Sequence, residues 1–94
     1  MTDPRRERII SRVRAIPVGF VQTYGDIEPA APRLVGQVLS SCQADDLPWH
    51  RVVRADGTLA KGRRQRDLLD REGVPLRGDR VDLRTARLPR DLLH

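Results

Sequence analysis

Few residues in this chain could do chemistry, and two of them are neighbours. Trp49, the only tryptophan, stands beside His50, one of two histidines, in Pro48-Trp49-His50-Arg51-Val52-Val53. Pro48 restricts the backbone at the start of this run, and the β-branched pair at its end favours an extended strand. An aromatic ring and an imidazole therefore sit where a loop feeds a strand, a common location for a functional site. The same six residues read equally well as a tryptophan anchoring a small core. Trp49 carries no nucleophile, because its indole nitrogen only donates a hydrogen bond. The one thiol, Cys42, lies seven residues earlier in sequence. It falls at the end of a predicted helix and reads as a buried or partly exposed structural thiol.

The elements that must position these residues follow from apolar spacing. Ile9, Val13 and Ile16, with Ile10 widening the stripe, predict a helix over 4–15 that starts at Asp3-Pro4 and ends at Pro17-Val18-Gly19. Arg5, Arg8 and Arg12 then fall on its outer, solvated face. Thr23 caps a second, short helix with Asp26 in the capping-box position, and Tyr24 is its first residue. That tyrosine reads as an inward filler or, at a helix start whose amides favour anions, as a phosphate contact. Leu34, Val35, Val38 and Leu39 share one face of a helix from about Pro32 to Cys42, with Arg33 off that face at its start. Gly36 costs this helix about 1 kcal/mol, as expected where a helix must approach another surface closely. Asp56-Gly57 between Val52-Val53-Arg54 and Thr58-Leu59 predicts a β-hairpin. A further helix spans 64–72 with Leu68 and Leu69 buried and Gly73 just past its end. A turn at Arg77-Gly78-Asp79 and a short strand over 80–83 follow. Residues 85–94 read as a polar tail.

The 94 residues allow one domain with a modest core, expected over about 4–84. Hydrophobic residues make up 38% and there are only three aromatics, so burial must come from Val, Leu and Ile. The net charge is +5 and it is uneven. Residues 1–48 hold six basic and six acidic groups, whereas residues 49–94 hold twelve basic and seven acidic. A basic half points to a polyanion, nucleic acid first, although a solvated arginine-rich surface would carry the same charge. Lys61, Arg63, Arg64 and Arg66 form the densest basic run. One cysteine excludes an internal disulfide framework and fits a cytoplasmic protein. The charged start and the lack of a long apolar run predict neither a signal peptide nor a membrane span.

Several motifs carry a family resemblance. Pro48-Trp49-His50-Arg51-Val52 resembles the Pro-Cys-His-Arg-Val active-site signature of the O6-alkylguanine-DNA alkyltransferases, whose DNA-binding domain is that of the methylated-DNA–protein-cysteine methyltransferases. Trp49 stands for the acceptor cysteine, the replacement that marks the non-enzymatic alkyltransferase-like relatives. Residues 16–27, Ile-Pro-Val-Gly-Phe-Val-Gln-Thr-Tyr-Gly-Asp-Ile, resemble the start of that family's helix-turn-helix. Arg33-Leu34-Val35-Gly36 resembles its recognition helix, and Leu68-Leu69-Asp70-Arg71-Glu72-Gly73 its Leu-Leu-x-x-Glu-Gly. The resemblance covers roughly residues 9–83. The chain departs from it at 28–32, where helix two is shortened, and after Ala60, where a glycine-rich lid loop is abbreviated. Ser41 stands near the family's Asn-Pro and could make a weaker version of its turn-holding hydrogen bond.

The resemblance implies a mostly α domain with a small β-hairpin, of winged helix-turn-helix type. It implies that Tyr24 helps rotate a nucleotide out and that Arg33 enters from the minor groove to fill the vacated stack, which its planar guanidinium suits. DNA-binding residues would be Tyr24, Arg33, Gly36, Arg51, Lys61, Arg63 and Arg64. The lesion pocket would comprise Trp49, His50, Val52, Leu59 and Glu72, with Glu72 hydrogen-bonded to His50 as its alternative to a nearby arginine. Without a nucleophile at position 49, alkyl transfer is lost and recognition remains. The expectation is therefore a monomer without cofactor or metal. It would bind double-stranded DNA containing O6-alkylguanine and flag it for nucleotide excision repair proteins. The rival readings are a winged-helix transcriptional regulator without lesion specificity and an active transferase using Cys42.

Overall fold

The computed structural model describes residues 3–42 and 46–89. Helix α1 spans Pro4–Arg14, with the Asp3 side chain accepting from the Arg5 amide at its start. Strand β1 (Gln22–Thr23) runs straight into the four-residue helix α2 (Tyr24–Ile27), whose capping box is complete. The Thr23 hydroxyl accepts from the Asp26 amide, and the Asp26 carboxylate accepts from the Thr23 amide. Those reciprocal bonds occupy the Thr23 and Asp26 amides at the head of α2. Helix α3 (Pro32–Ser41) packs Val35 and Val38 inward, as its spacing predicts. A 3-10 turn (Trp49–Arg51) leads into β2 (Val52–Val53). Helix α4 spans Gly62–Arg71, β3 Leu76–Arg77, β4 Arg80–Val81 and α5 Leu83–Ala86.

Two apolar clusters meet at a central strand pair. β1 and β2 run parallel, with Gln22 opposite Val52 and Thr23 opposite Val53. Successive strand residues point to opposite faces. Val52 accordingly joins the cluster of Ile9, Val13, Ile27 and Val35, while Val53 joins Val21, Leu69, Val74 and Val81. The first cluster holds α1, α2 and α3 together, and the second seats α4 and the C-terminal elements. The result is a mostly helical domain with small strand pairs, of the helix-turn-helix class expected from the sequence.

Three expectations need correction. The hairpin expected across Asp56-Gly57 does not form as a strand pair: Val52 and Val53 are claimed by β1, and the chain beyond the turn bridges to Arg80 instead. The antiparallel hairpin is β3–β4. Gly57 is required where it stands, at φ +86, because a Cβ there would come within 2.6 Å of the Val81 carbonyl. Of the tail expected over 85–94, residues 85–89 are packed: Ala86 and Leu88 are buried, and both bond to the backbone of Val21. Residues 90–94 lie outside the described residues. Finally, the outer arginines of α1 are not merely solvated. Arg8 donates twice to the buried Glu28 carboxylate, at 2.7 and 3.0 Å, and Arg12 donates to the Ile27 carbonyl at 2.6 Å. Together they clamp the short stretch between α2 and α3. Among the described residues no helix is long and apolar enough to cross a membrane.

Candidate nucleic-acid interface

A cleft of about 990 Å³ opens between α3, the head of α2 and the start of α4. Its walls bring together six of the expected site residues from separate parts of the chain: Tyr24, Arg33, Gly36, Trp49, Lys61 and Arg64. Each is placed by local structure. Tyr24 follows the Thr23 cap, and Arg33 follows Pro32 in the first turn of α3. Gly36 lies one turn further along that helix, where an added Cβ would stand 3.9 Å from the Tyr24 ring. Burial pushes the Tyr24 phenol above its ordinary pKa, partly opposed by the charge of Arg54, so the hydroxyl stays protonated at neutral pH.

Trp49 is held in the cleft wall by bonds the sequence did not advertise. Buried Gln65 donates to the His50 carbonyl at 3.1 Å and the Val52 carbonyl at 2.8 Å, and accepts from the Lys61 amide at 3.1 Å. One amide thus ties the tryptophan turn to the head of α4. The available signal was its spacing with Leu68 and Leu69, which places a polar residue on the apolar face of an amphipathic helix. The Arg64 guanidinium stands 5.5 Å from the centroid of the Trp49 ring, within cation–π range. His50 meets the same indole edge-on, with centroids 5.9 Å apart.

Behind the indole lies a compact charged group. His50 Nε2 is 2.9 Å from Glu72 Oε2, so the pair expected from the family resemblance is present. Arg51 joins it, donating from Nε and Nη2 to both Glu72 oxygens at 2.9 and 2.7 Å, and from Nη1 to the Ile16 carbonyl at 2.8 Å. The Arg51 hydrogen bond, then that of His50, outweigh partial burial and hold the Glu72 carboxyl at a pKa of about 2. The end of α4 sets this geometry. Gly73 at φ +80 lets the Gly73 and Val74 amides bond back to Asp70 and Leu69, which fixes Glu72 at the helix terminus.

The remaining expected site residues are placed differently. Arg51, expected on DNA, is only 14% exposed and spends its guanidinium on Glu72 and Ile16, because an unpaired carboxylate there would be costly. Val52 is fully buried in the first cluster, and Leu59 packs against the second, so neither lines the cleft. Arg63 is exposed at the start of α4 but outside the cleft walls. Ser41 bonds back to Val38 and accepts from Arg6 at 2.8 Å, joining α3 to α1 and not to the loop before Trp49. Cys42, half-buried, does line the cleft, together with Gln37, Leu39 and Ser40, none of which motif reading singled out. Among the described residues no group of three or more His, Cys, Asp or Glu side chains is placed to hold a metal ion.

This arrangement has relatives. The Escherichia coli DNA base-flipping protein is 41% identical over 92 residues, covering 86% of this chain and 71% of its own. Alkyltransferase-like protein 1 of Schizosaccharomyces pombe is 36% identical over 81 residues, covering 73% of this chain and 75% of its own. The structure of S. pombe Atl1 in complex with damaged DNA containing O6-carboxymethylguanine superposes with a TM-score of 0.79 at 30% identity, covering 95% of this chain and 99% of that one. Mycobacterium tuberculosis OGT in complex with DNA matches with a TM-score of 0.66 at 29% identity, over 78% of this chain and 51% of that one. Residues 4–74 match the family model described as "6-O-methylguanine DNA methyltransferase, DNA binding domain". With that match over most of its length, the chain belongs to the family of the 6-O-methylguanine DNA methyltransferase DNA-binding domain.

Proposed function

We propose that this protein binds O6-alkylguanine in duplex DNA without repairing it, and that the bound complex flags the lesion for nucleotide excision repair. The observation that carries this reading is the convergence of Tyr24, Arg33 and Trp49 on one cleft, with an indole at the position where the family signature has its cysteine. In this reading Tyr24 presses on the backbone beside the target nucleotide and Arg33 occupies the gap left in the stack. The flipped base enters the cleft against Trp49. Extrusion costs a few kcal/mol, less for a poorly paired lesion, and contact with an aromatic wall returns about 1–3 kcal/mol. The relatives named for base flipping, and the one crystallised on O6-carboxymethylguanine DNA, support the same reading.

Trp49 offers no atom that could accept an alkyl group. His50 and Glu72 retain the pairing that would activate a thiolate, but their carboxylate is neutralised by Arg51 and they face no thiol at position 49. The test compares binding to an O6-methylguanine duplex and its unmodified twin. Tighter binding to the lesion is expected, and equal affinity would favour a general regulator. Because Cys42 shares the cleft, mass analysis after incubation with the lesion duplex is the companion measurement. An unchanged protein mass is expected, and a gain of one alkyl group on Cys42 would make the protein a transferase.

A further inference from the structure

Arg54 was not among the residues expected to touch DNA. It is exposed, and its guanidinium has no hydrogen-bond or ion-pair partner among the described residues. Its place follows from strand register. Thr23 lies opposite Val53 in the parallel β1–β2 pair, so the next residues, Tyr24 and Arg54, leave the pair side by side. Neighbouring strands are about 4.8 Å apart, within joint reach of one small anion. Tyr24 departs into α2, while Arg54 departs into a turn that engages both of its backbone groups. The Arg54 amide donates to the Thr58 carbonyl at 3.1 Å, and its carbonyl accepts from Gly57 at 2.8 Å. The neighbouring carboxylate, Asp56, is occupied by the Thr58 amide and hydroxyl and does not pair with Arg54. The charge of Arg54 is nonetheless felt at the Tyr24 phenol.

We propose that Arg54 and Tyr24 hold a single DNA phosphate between them at the rim of the cleft. The proposal rests on the DNA-binding reading above and extends it. A phosphodiester oxygen accepts readily from a phenol and a guanidinium together, and such contacts fix register without reading sequence. The charge on the pair belongs to Arg54 alone, because the Tyr24 hydroxyl is neutral.

The test is a double-variant cycle of Arg54→Gln and Tyr24→Phe, with affinity for lesion and unmodified duplexes measured across a salt series. Thermal melting of each variant accompanies it. Arg54→Gln is expected to weaken both duplexes alike, by about tenfold at low salt. Its salt slope should fall by about 0.9, one phosphate contact. Arg54→Lys should keep the wild-type slope. Tyr24→Phe should lose affinity with no change of slope, and the double variant should lose less than the product of the two single losses. Unchanged affinity and slope in Arg54→Gln would overturn the assignment of Arg54, and losses that simply multiply would overturn the shared phosphate. Wild-type protein that binds both duplexes equally defeats the lesion reading alone, since the cycle still decides the phosphate on unmodified DNA. No DNA binding at all defeats both.

Discussion

The Arg64 guanidinium lies over the Trp49 indole at 5.5 Å from the ring centroid, so this aromatic wall of the cleft carries a cation against it. Gln65, which follows Arg64 on α4, bonds the His50 and Val52 carbonyls of the segment containing Trp49 and so ties the two elements together. A base seated on the indole would therefore meet Arg64 as well. Trp49→Ala is expected to reduce discrimination between lesion and unmodified duplexes more than it reduces general DNA affinity, because backbone charge contacts remain. Paired binding curves with a melting profile check this. Loss of both affinities together with loss of folding would make Trp49 a core anchor instead.

Arg33 is exposed in the first turn of α3 and has no partner among the described residues. Nothing in the fold leans on it, and its charge at a helix start is mildly unfavourable. Arg33→Ala should leave stability within about 0.5 kcal/mol of wild type. Lesion affinity should fall by at least about tenfold. Unchanged lesion affinity would remove Arg33 from the stacking role.

Gly36 separates folding from binding. A Cβ there would make ordinary contact with Tyr24 at 3.9 Å, so no packing reason excludes alanine from this helix. Gly36→Ala is expected to raise stability by about 1 kcal/mol in denaturant unfolding. The added methyl would stand in the cleft wall and should weaken DNA binding. A variant both more stable and equally tight would show that α3 does not approach DNA at this residue.

Glu72 makes stability depend on pH. Its folded-state pKa, about 2, lies below the ordinary 4.5, so its contribution is complete above pH 4.5 and is lost as pH falls toward 2. Its size is on the order of 3 kcal/mol at most. Glu72→Gln should be strongly destabilising at neutral pH, because Arg51 would be left partly buried without its carboxylate. The gap between wild type and variant should close across pH 4.5 to 2. Unfolding curves that stay parallel through that window would contradict the bidentate Arg51–Glu72 pair as its source.

Gln22 is fully buried in β1, and neither of its amide atoms has a hydrogen-bond partner among the described residues. An unsatisfied buried polar group costs about 1–3 kcal/mol. Gln22→Leu, nearly equal in size, should therefore raise the unfolding midpoint. A lower midpoint would indicate that the amide is satisfied by a buried water.

The helices and their ends were legible in the sequence because their causes are local. Ile9 and Val13, Val35 and Val38, the Thr23–Asp26 box and Gly73 act within four or five residues of their partners, and each falls as spacing predicts. The pairing of His50 with Glu72 was legible only through the motifs that carry those residues. The cleft was decided by tertiary structure, because Tyr24, Arg33, Trp49 and Lys61 meet only when two apolar clusters close around the β1–β2 pair. The same holds for residues whose type was plain but whose partner was remote. Arg51 reads as a DNA contact and turns inward to Glu72, and Arg87 reads as tail yet reaches Asp26, 61 residues away, at 2.9 Å. A guanidinium serves a phosphate or a carboxylate equally well, and only the folded chain decides which it meets.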